Sequence, residues 1–73
     1  MSYCFYYILY CEFNGNYVYE EREDCWQYSN QEFATAFESA EEAKNVKAEL
    51  EAAGFPPLTI FKMQQITEIV EEL

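Results

Sequence analysis

From Tyr3 to Phe13 almost every position is aromatic or aliphatic. The odd positions are Tyr3, Phe5, Tyr7, Leu9, Cys11 and Phe13; the even ones are Cys4, Tyr6, Ile8, Tyr10 and Glu12. Such a run predicts a strand whose side chains alternate between two faces. Glu12 marks the even face as the wetter one, which places Phe5, Leu9 and Phe13 in the core. The even face is still too apolar to be left in water, so a neighbouring segment or a partner is expected to cover it. Asn14-Gly15 then predicts a hairpin, because both residues tolerate positive φ. A two-residue turn pairs Phe13 with Asn16, whereas a three-residue bulged loop pairs Glu12 with Asn16. The two registers send opposite sets of second-strand side chains inward. The bulged register is preferred, because it brings Tyr17 and Tyr19 to the side of Cys11 and Leu9 and buries more aromatic area.

The pattern weakens from Arg22 to Glu32. Trp26 and Tyr28 either continue the second strand past a bend or anchor a loop, and Ser29-Asn30-Gln31 is turn-like. The helix that follows is plain. Ser39 is an N-cap with Glu42 three positions later, and Ala40, Ala43, Val46, Leu50 and Ala53 form one narrow apolar stripe. Gly54 ends the helix at C′, Phe55 can fold back on Leu50, and Pro56-Pro57 forbids continuation. Leu58 to Met63 reads as a third strand, with Leu58 and Ile60 on one face and Phe61 and Met63 on the other. The tail is ambiguous. Ile66, Ile69, Val70 and Leu73 fit helical spacing, which favours a short C-terminal helix held by tertiary packing. The expected fold is α+β: a single domain over 1–73, with a small antiparallel sheet in ββαβ order. A main helix at about 39–53 packs on one face, and a short C-terminal helix ends the chain. The last strand is a candidate partner for strand one, whose length and apolarity suit a central position.

Charge adds a strong constraint. Fourteen acidic residues against four basic ones give a net charge of −10 on 73 residues. This opposes direct binding to nucleic acid or to an anionic membrane and makes a basic protein the natural complement. The opening apolar run is too short to span a bilayer and has no Lys or Arg before it, so a soluble, cytoplasmic protein is expected. Cys4 and Cys11 lie on opposite faces of one strand, about 23 Å apart at about 3.3 Å per residue, and cannot bridge each other. The third cysteine, Cys25, is expected to pack as a plain apolar group. An odd count without close spacing reads as reduced thiols.

Catalytic chemistry finds no support. The chain has no His, and its two glycines, Gly15 and Gly54, are both accounted for by turns. That leaves no Ser-His or Cys-His pair and no phosphate loop. Paired carboxylates would need a deep cleft that so short a chain does not easily build. No enzyme activity and no cofactor are expected, and without EF-hand spacing no metal site is expected. The suggestive cluster is Glu20, Glu21, Glu23 and Asp24. In extended chain Glu21 and Glu23 share a face about 6.6 Å apart, close to the spacing of successive backbone phosphates. The bland reading is a solvated strand end. Glu38, Glu41 and Glu42 are accounted for by the helix dipole. Tyr6, Tyr10 and Trp26 are candidate interface anchors, although sheet propensity and partial burial also explain the tyrosines.

The run Ala34-Thr35-Ala36-Phe37-Glu38-Ser39-Ala40-Glu41-Glu42-Ala43 follows a Trp-containing segment and precedes Gly54 and a strand. Over Tyr17 to Met63 this resembles small acidic bacteriophage proteins, in which a hairpin precedes an A-x-x-F-x-S-x-E-E-A helix start. The resemblance implies a phage or mobile-element origin, with anti-CRISPR and anti-restriction inhibitors as relatives in size and charge. It carries over no functional residue. The expected function is a non-catalytic inhibitor in the host cytoplasm that masks a basic, nucleic-acid-binding surface of a host protein. Glu20, Glu21, Glu23 and Asp24 would meet Lys and Arg, with Trp26, Tyr6 and Tyr10 as anchors. The alternative is a structural module that forms a homodimer through the apolar even face of strand one.

Overall fold

The first apolar run becomes the central strand of a sheet in a computed structural model that describes residues 5–23, 25–64 and 69–73. The elements are β1 (Phe5–Cys11), β2 (Asn16–Arg22), β3 (Cys25–Ser29), a 3₁₀ turn (Gln31–Phe33), α1 (Ala40–Ala52), β4 (Leu58–Gln64) and β5 (Ile69–Glu72). They form an α+β fold: one antiparallel five-stranded sheet in the order β3-β2-β1-β4-β5, with α1 packed across β1 and β4. The ββαβ order is therefore corrected by two further strands. Trp26 and Tyr28 neither extend the second strand nor anchor a loop; they belong to β3. Ile69 and Val70 lie in β5, not in a C-terminal helix, and Ile66 falls outside the described residues. The tail carries little intrinsic helical stability at that length. Pairing with β4 gives partners to backbone groups that would otherwise sit at a bare edge, among them the Ile60 carbonyl, which accepts the Leu73 N–H at 2.9 Å.

The hairpin register also differs from both candidates. Cys11 pairs with Asn16, so the loop is Glu12-Phe13-Asn14-Gly15. Gly15 takes φ 71° and donates its N–H to the Cys11 carbonyl at 2.9 Å, while the Asn14 Oδ1 accepts from the Asn16 N–H at 3.0 Å. Four-residue loops of this kind use the same Asn-Gly chemistry as tighter turns, which is why the dipeptide alone does not set the register. The parity puts Val18 on the face of Leu9 and Cys11. Tyr17 and Tyr19 go to the other face, and Tyr17 packs against Tyr10 with ring centroids 4.9 Å apart. Val18 is 0 % exposed. Phe13 is not core: it sits at the loop tip and is 85 % exposed. Phe5 is also exposed, with the Lys62 ammonium 4.6 Å from its ring centre.

Two apolar layers flank the sheet. On the helix side, Leu9, Cys11, Val18, Leu58 and Ile60 meet Ala43, Leu50 and Phe37, with Trp26, Tyr28, Val46 and Phe55 around them. Ala43 is fully buried, and its small side chain lets α1 lie close to the sheet. The expected caps are in place. The Ser39 hydroxyl accepts the Glu42 N–H at 3.1 Å. At the other end the Gly54 N–H donates to Glu51 and the Phe55 N–H to Leu50, with Gly54 at φ 112°. This is the Schellman pattern, and its positive φ requires glycine. On the opposite side Ile8, Phe61 and Met63 form a second, smaller cluster with Tyr6, Tyr10, Tyr17 and Ala34. The even face of β1 is thus largely covered from within the chain, and Ile8 is 1 % exposed.

Beyond Tyr17, β2 parts from β1, and the segment from Ala34 to Phe37 fills the fork. The Phe37 and Tyr7 main chains exchange two hydrogen bonds, at 2.9 and 2.8 Å. On the β2 side, the Thr35 N–H donates to the Val18 carbonyl at 3.2 Å, and the Glu20 N–H donates to the Thr35 hydroxyl at 2.7 Å. Ala34 packs on the tyrosine side and Phe37 on the helix side, so the chain changes face through this fork.

Candidate protein-interaction surface

The acidic cluster sits where β2 has left β1. Glu20, Glu21 and Glu23 are all exposed, and Asp24 lies outside the described residues. Glu20 pairs with Trp26 and Arg22 with Cys25, which makes Glu21 the extra residue of a β-bulge. Glu23 is in the turn that follows. The bulge ends the strict alternation that would set Glu21 and Glu23 in one phosphate-like row. The position of Glu20 is held by its backbone bond to Thr35, which builds the acidic end on an ordered ladder.

The anchor residues separate. Trp26 lies opposite Glu20, half-buried, with its ring stacked against Phe37 at 6.2 Å between centroids and 24° between planes. It adjoins the acidic end and faces the helix side. Tyr6 and Tyr10 lie on the other face of the sheet, half-buried in the second cluster. Tyr10 stacks on Phe61 at 5.2 Å. The structure therefore joins Trp26 to the glutamates and places the two tyrosines on a separate surface. Burial, followed by the neighbouring Tyr10, raises the pKa of the Tyr17 hydroxyl above its ordinary value, as expected for phenols packed into an apolar layer.

A recess of about 780 Å³ opens beside these tyrosines, lined by Tyr6, Ile8, Asn30, Gln31, Glu32, Ala34 and Ala36. The pattern reading missed it because Asn30-Gln31 reads only as a turn. The Ala-Thr-Ala run before Phe37, two small side chains flanking one hydroxyl, is the sequence trace of a segment fitted into a narrow fork. Phe33, on the 3₁₀ turn, is 63 % exposed.

Cys11 is buried and Cys25 half-buried, both as free thiols; Cys4 is outside the described residues. The Tyr28 hydroxyl lies beside the Cys11 thiol and the Asn14 amide, and burial first, then Cys11, raises its pKa. Among the described residues no group of three or more His, Cys, Asp or Glu is placed to hold a metal ion. No helix among them is long and apolar enough to cross a membrane. What this geometry offers chemically is a charged, hydrogen-bonding surface beside an aromatic ring. Comparison with protein-family models, with curated proteins and with solved structures finds no match to this chain.

Proposed function

We propose that the chain is a non-catalytic protein-binding module, an inhibitor of the phage anti-defence type that masks a basic, nucleic-acid-binding surface of a host protein in the host cytoplasm. The observation that carries this reading is the exposed run Glu20, Glu21 and Glu23 at the end of β2, beside Trp26, on a chain of net charge −10. Such a field steers a basic partner and repels nucleic acid itself. Single exposed ion pairs contribute at most about 1 kcal/mol, so affinity must come from several pairs and from the apolar contact of Trp26.

The test is charge reversal of the run. Immobilised protein should retain a nucleic-acid-binding protein from a bacterial lysate at low salt and release it when duplex DNA is added. The fourfold change of Glu20, Glu21, Glu23 and Asp24 to Lys should abolish retention. Retention unchanged by that variant would remove the acidic run from the interface. The second reading, self-association through the even face of β1, is favoured by the half-exposed Tyr6 and Tyr10 but must do without Ile8, which the chain already covers. A homodimer insensitive to salt in sedimentation at low and high concentration would favour it.

A further inference from the structure

The sheet has two edges, and they are not alike. β5 is short and ends in Glu72, a charged residue of the kind that discourages strand addition. β3 reads Cys25-Trp26-Gln27-Tyr28-Ser29: no charge, no proline and no glycine over five residues. Its ladder to β2 is regular from Trp26 to Ser29.

Which backbone groups β3 presents follows from the fork. In an antiparallel ladder the N–H and C=O of one residue point to the same side. The Val18 carbonyl and the Glu20 N–H point away from β3, to Thr35. The residues of β2 that bond to β3 are therefore Tyr17 and Tyr19, whose partners are Ser29 and Gln27. Trp26 and Tyr28 must then turn their N–H and C=O outward, and no hydrogen bond among the described residues reaches these four groups. Both side chains lie on the helix side of the sheet, so an added strand would meet two aromatic rings there.

We propose that the β3 edge takes up an extended segment of a partner protein as a sixth strand, its middle apolar and its ends basic. The inference rests on the functional reading above and gives it a binding mode. Backbone pairing to Trp26 and Tyr28 supplies the hydrogen bonds, and alternate apolar side chains lie against the two rings. The ends of the segment meet acid on both sides of the neutral strand. Glu20, Glu21 and Glu23 stand at one end, and exposed Glu32 follows the other. The same charges argue against a second copy of this chain as the occupant, since each copy carries −10.

The probe is a fluorescent peptide with two Lys at each end and a Val-Thr-Val-Thr centre, compared with its counterpart N-methylated at the four central residues. The unmethylated peptide should bind in a salt-sensitive manner. N-methylation should weaken binding by about tenfold or more, the expected loss when two or more backbone hydrogen bonds cannot form. Hydrogen exchange read by NMR should slow at the Trp26 and Tyr28 amides on binding, while Tyr19 and Gln27, already paired, change little. Equal binding of the methylated peptide, or unchanged exchange at Trp26 and Tyr28, overturns strand addition and leaves the charge-driven reading standing. No binding of either peptide also overturns it. So does protection of these two amides that grows with protein concentration in the absence of peptide, because the occupant would then be a second copy. Failure of the functional reading shows separately, as lysate capture that the fourfold Lys variant does not alter.

Discussion

Glu51 ties the end of α1 to the start of β4. Its Oε2 accepts the Leu58 N–H at 2.7 Å and meets the Lys47 ammonium at 2.9 Å. The Lys47 hydrogen bond and then the Leu58 N–H hold its carboxyl below the ordinary value of 4.5. The two contacts differ in consequence. The Lys47 pair is an i,i+4 surface pair of the kind that contributes about 0.5 kcal/mol or less. The bond to Leu58 is charge-assisted and partly buried, worth about 1–2 kcal/mol after allowance for solvent. Glu51→Ala should therefore lower unfolding free energy by about 1–2 kcal/mol, and Lys47→Ala by about 0.5 kcal/mol or less, in denaturant titrations. A carboxyl whose folded pKa is depressed contributes fully above its unfolded value and loses that contribution as pH falls through the folded one. The difference between wild type and Glu51→Ala should thus be constant at neutral pH and shrink below pH 4.5. A difference that persists undiminished to low pH would show that the charge is not involved.

Among elements, the segment in the fork decides how the sheet is divided. Thr35 accepts from β2 and donates to it, while Phe37 bonds to β1 and fills the helix-side core. Without it, the parted edges of both strands would lack partners. Thr35→Val keeps the shape but removes the acceptor for the Glu20 N–H. It should cost about 1 kcal/mol, and Thr35→Ser should recover most of it. Hydrogen exchange at the Glu20 amide should quicken in the Val variant alone; unchanged exchange would mean that the hydroxyl does not hold this end of β2. How far this region was legible follows from its residues. The Ser39 cap and the Gly54 stop depend on groups within a few positions along the chain, and both appear as read. Nothing local distinguishes Ala34-Thr35-Ala36 from an ordinary loop, because its role depends on strand residues fifteen or more positions away. Of the candidate site, Trp26 beside the glutamates was legible. The separation of Tyr6 and Tyr10 onto the other face was not, since parity across a hairpin is set by loop length.

For the whole molecule, charge works against compactness. A net charge of −10 is carried on a chain with a radius of gyration of 11.7 Å. At neutral pH many carboxylates therefore lie within one or two Debye lengths of one another, about 8 Å at physiological salt. Raising NaCl from near zero to about 0.15 M should stabilise the fold by about 1 kcal/mol, a rise of about 4–8 °C in Tm for a domain of this size. Circular dichroism melts would check this. A Tm independent of salt would show that self-repulsion is not a significant term. The same screening should weaken partner binding, so salt is expected to move stability and affinity in opposite directions.

What could be read from residue order was whatever depends on near neighbours: an alternating apolar first strand, a turn at Asn14-Gly15, a capped helix ending at Gly54 and a strand from Leu58. Folding in three dimensions settled what depends on distant partners. It chose Cys11 against Asn16 as the last pair of the hairpin, and so put Val18 rather than Tyr17 in the helix-side core. It made Ile69 and Val70 an edge strand, although their spacing also suits a helix. It opened the fork and left the backbone N–H and C=O of Trp26 and Tyr28 facing outward while their rings pack on the helix side. The physical reason is the same in each case. A period of two or 3.6 tells which residues share a face, but which neighbour that face or edge meets is decided by burial and backbone pairing between segments far apart in the chain.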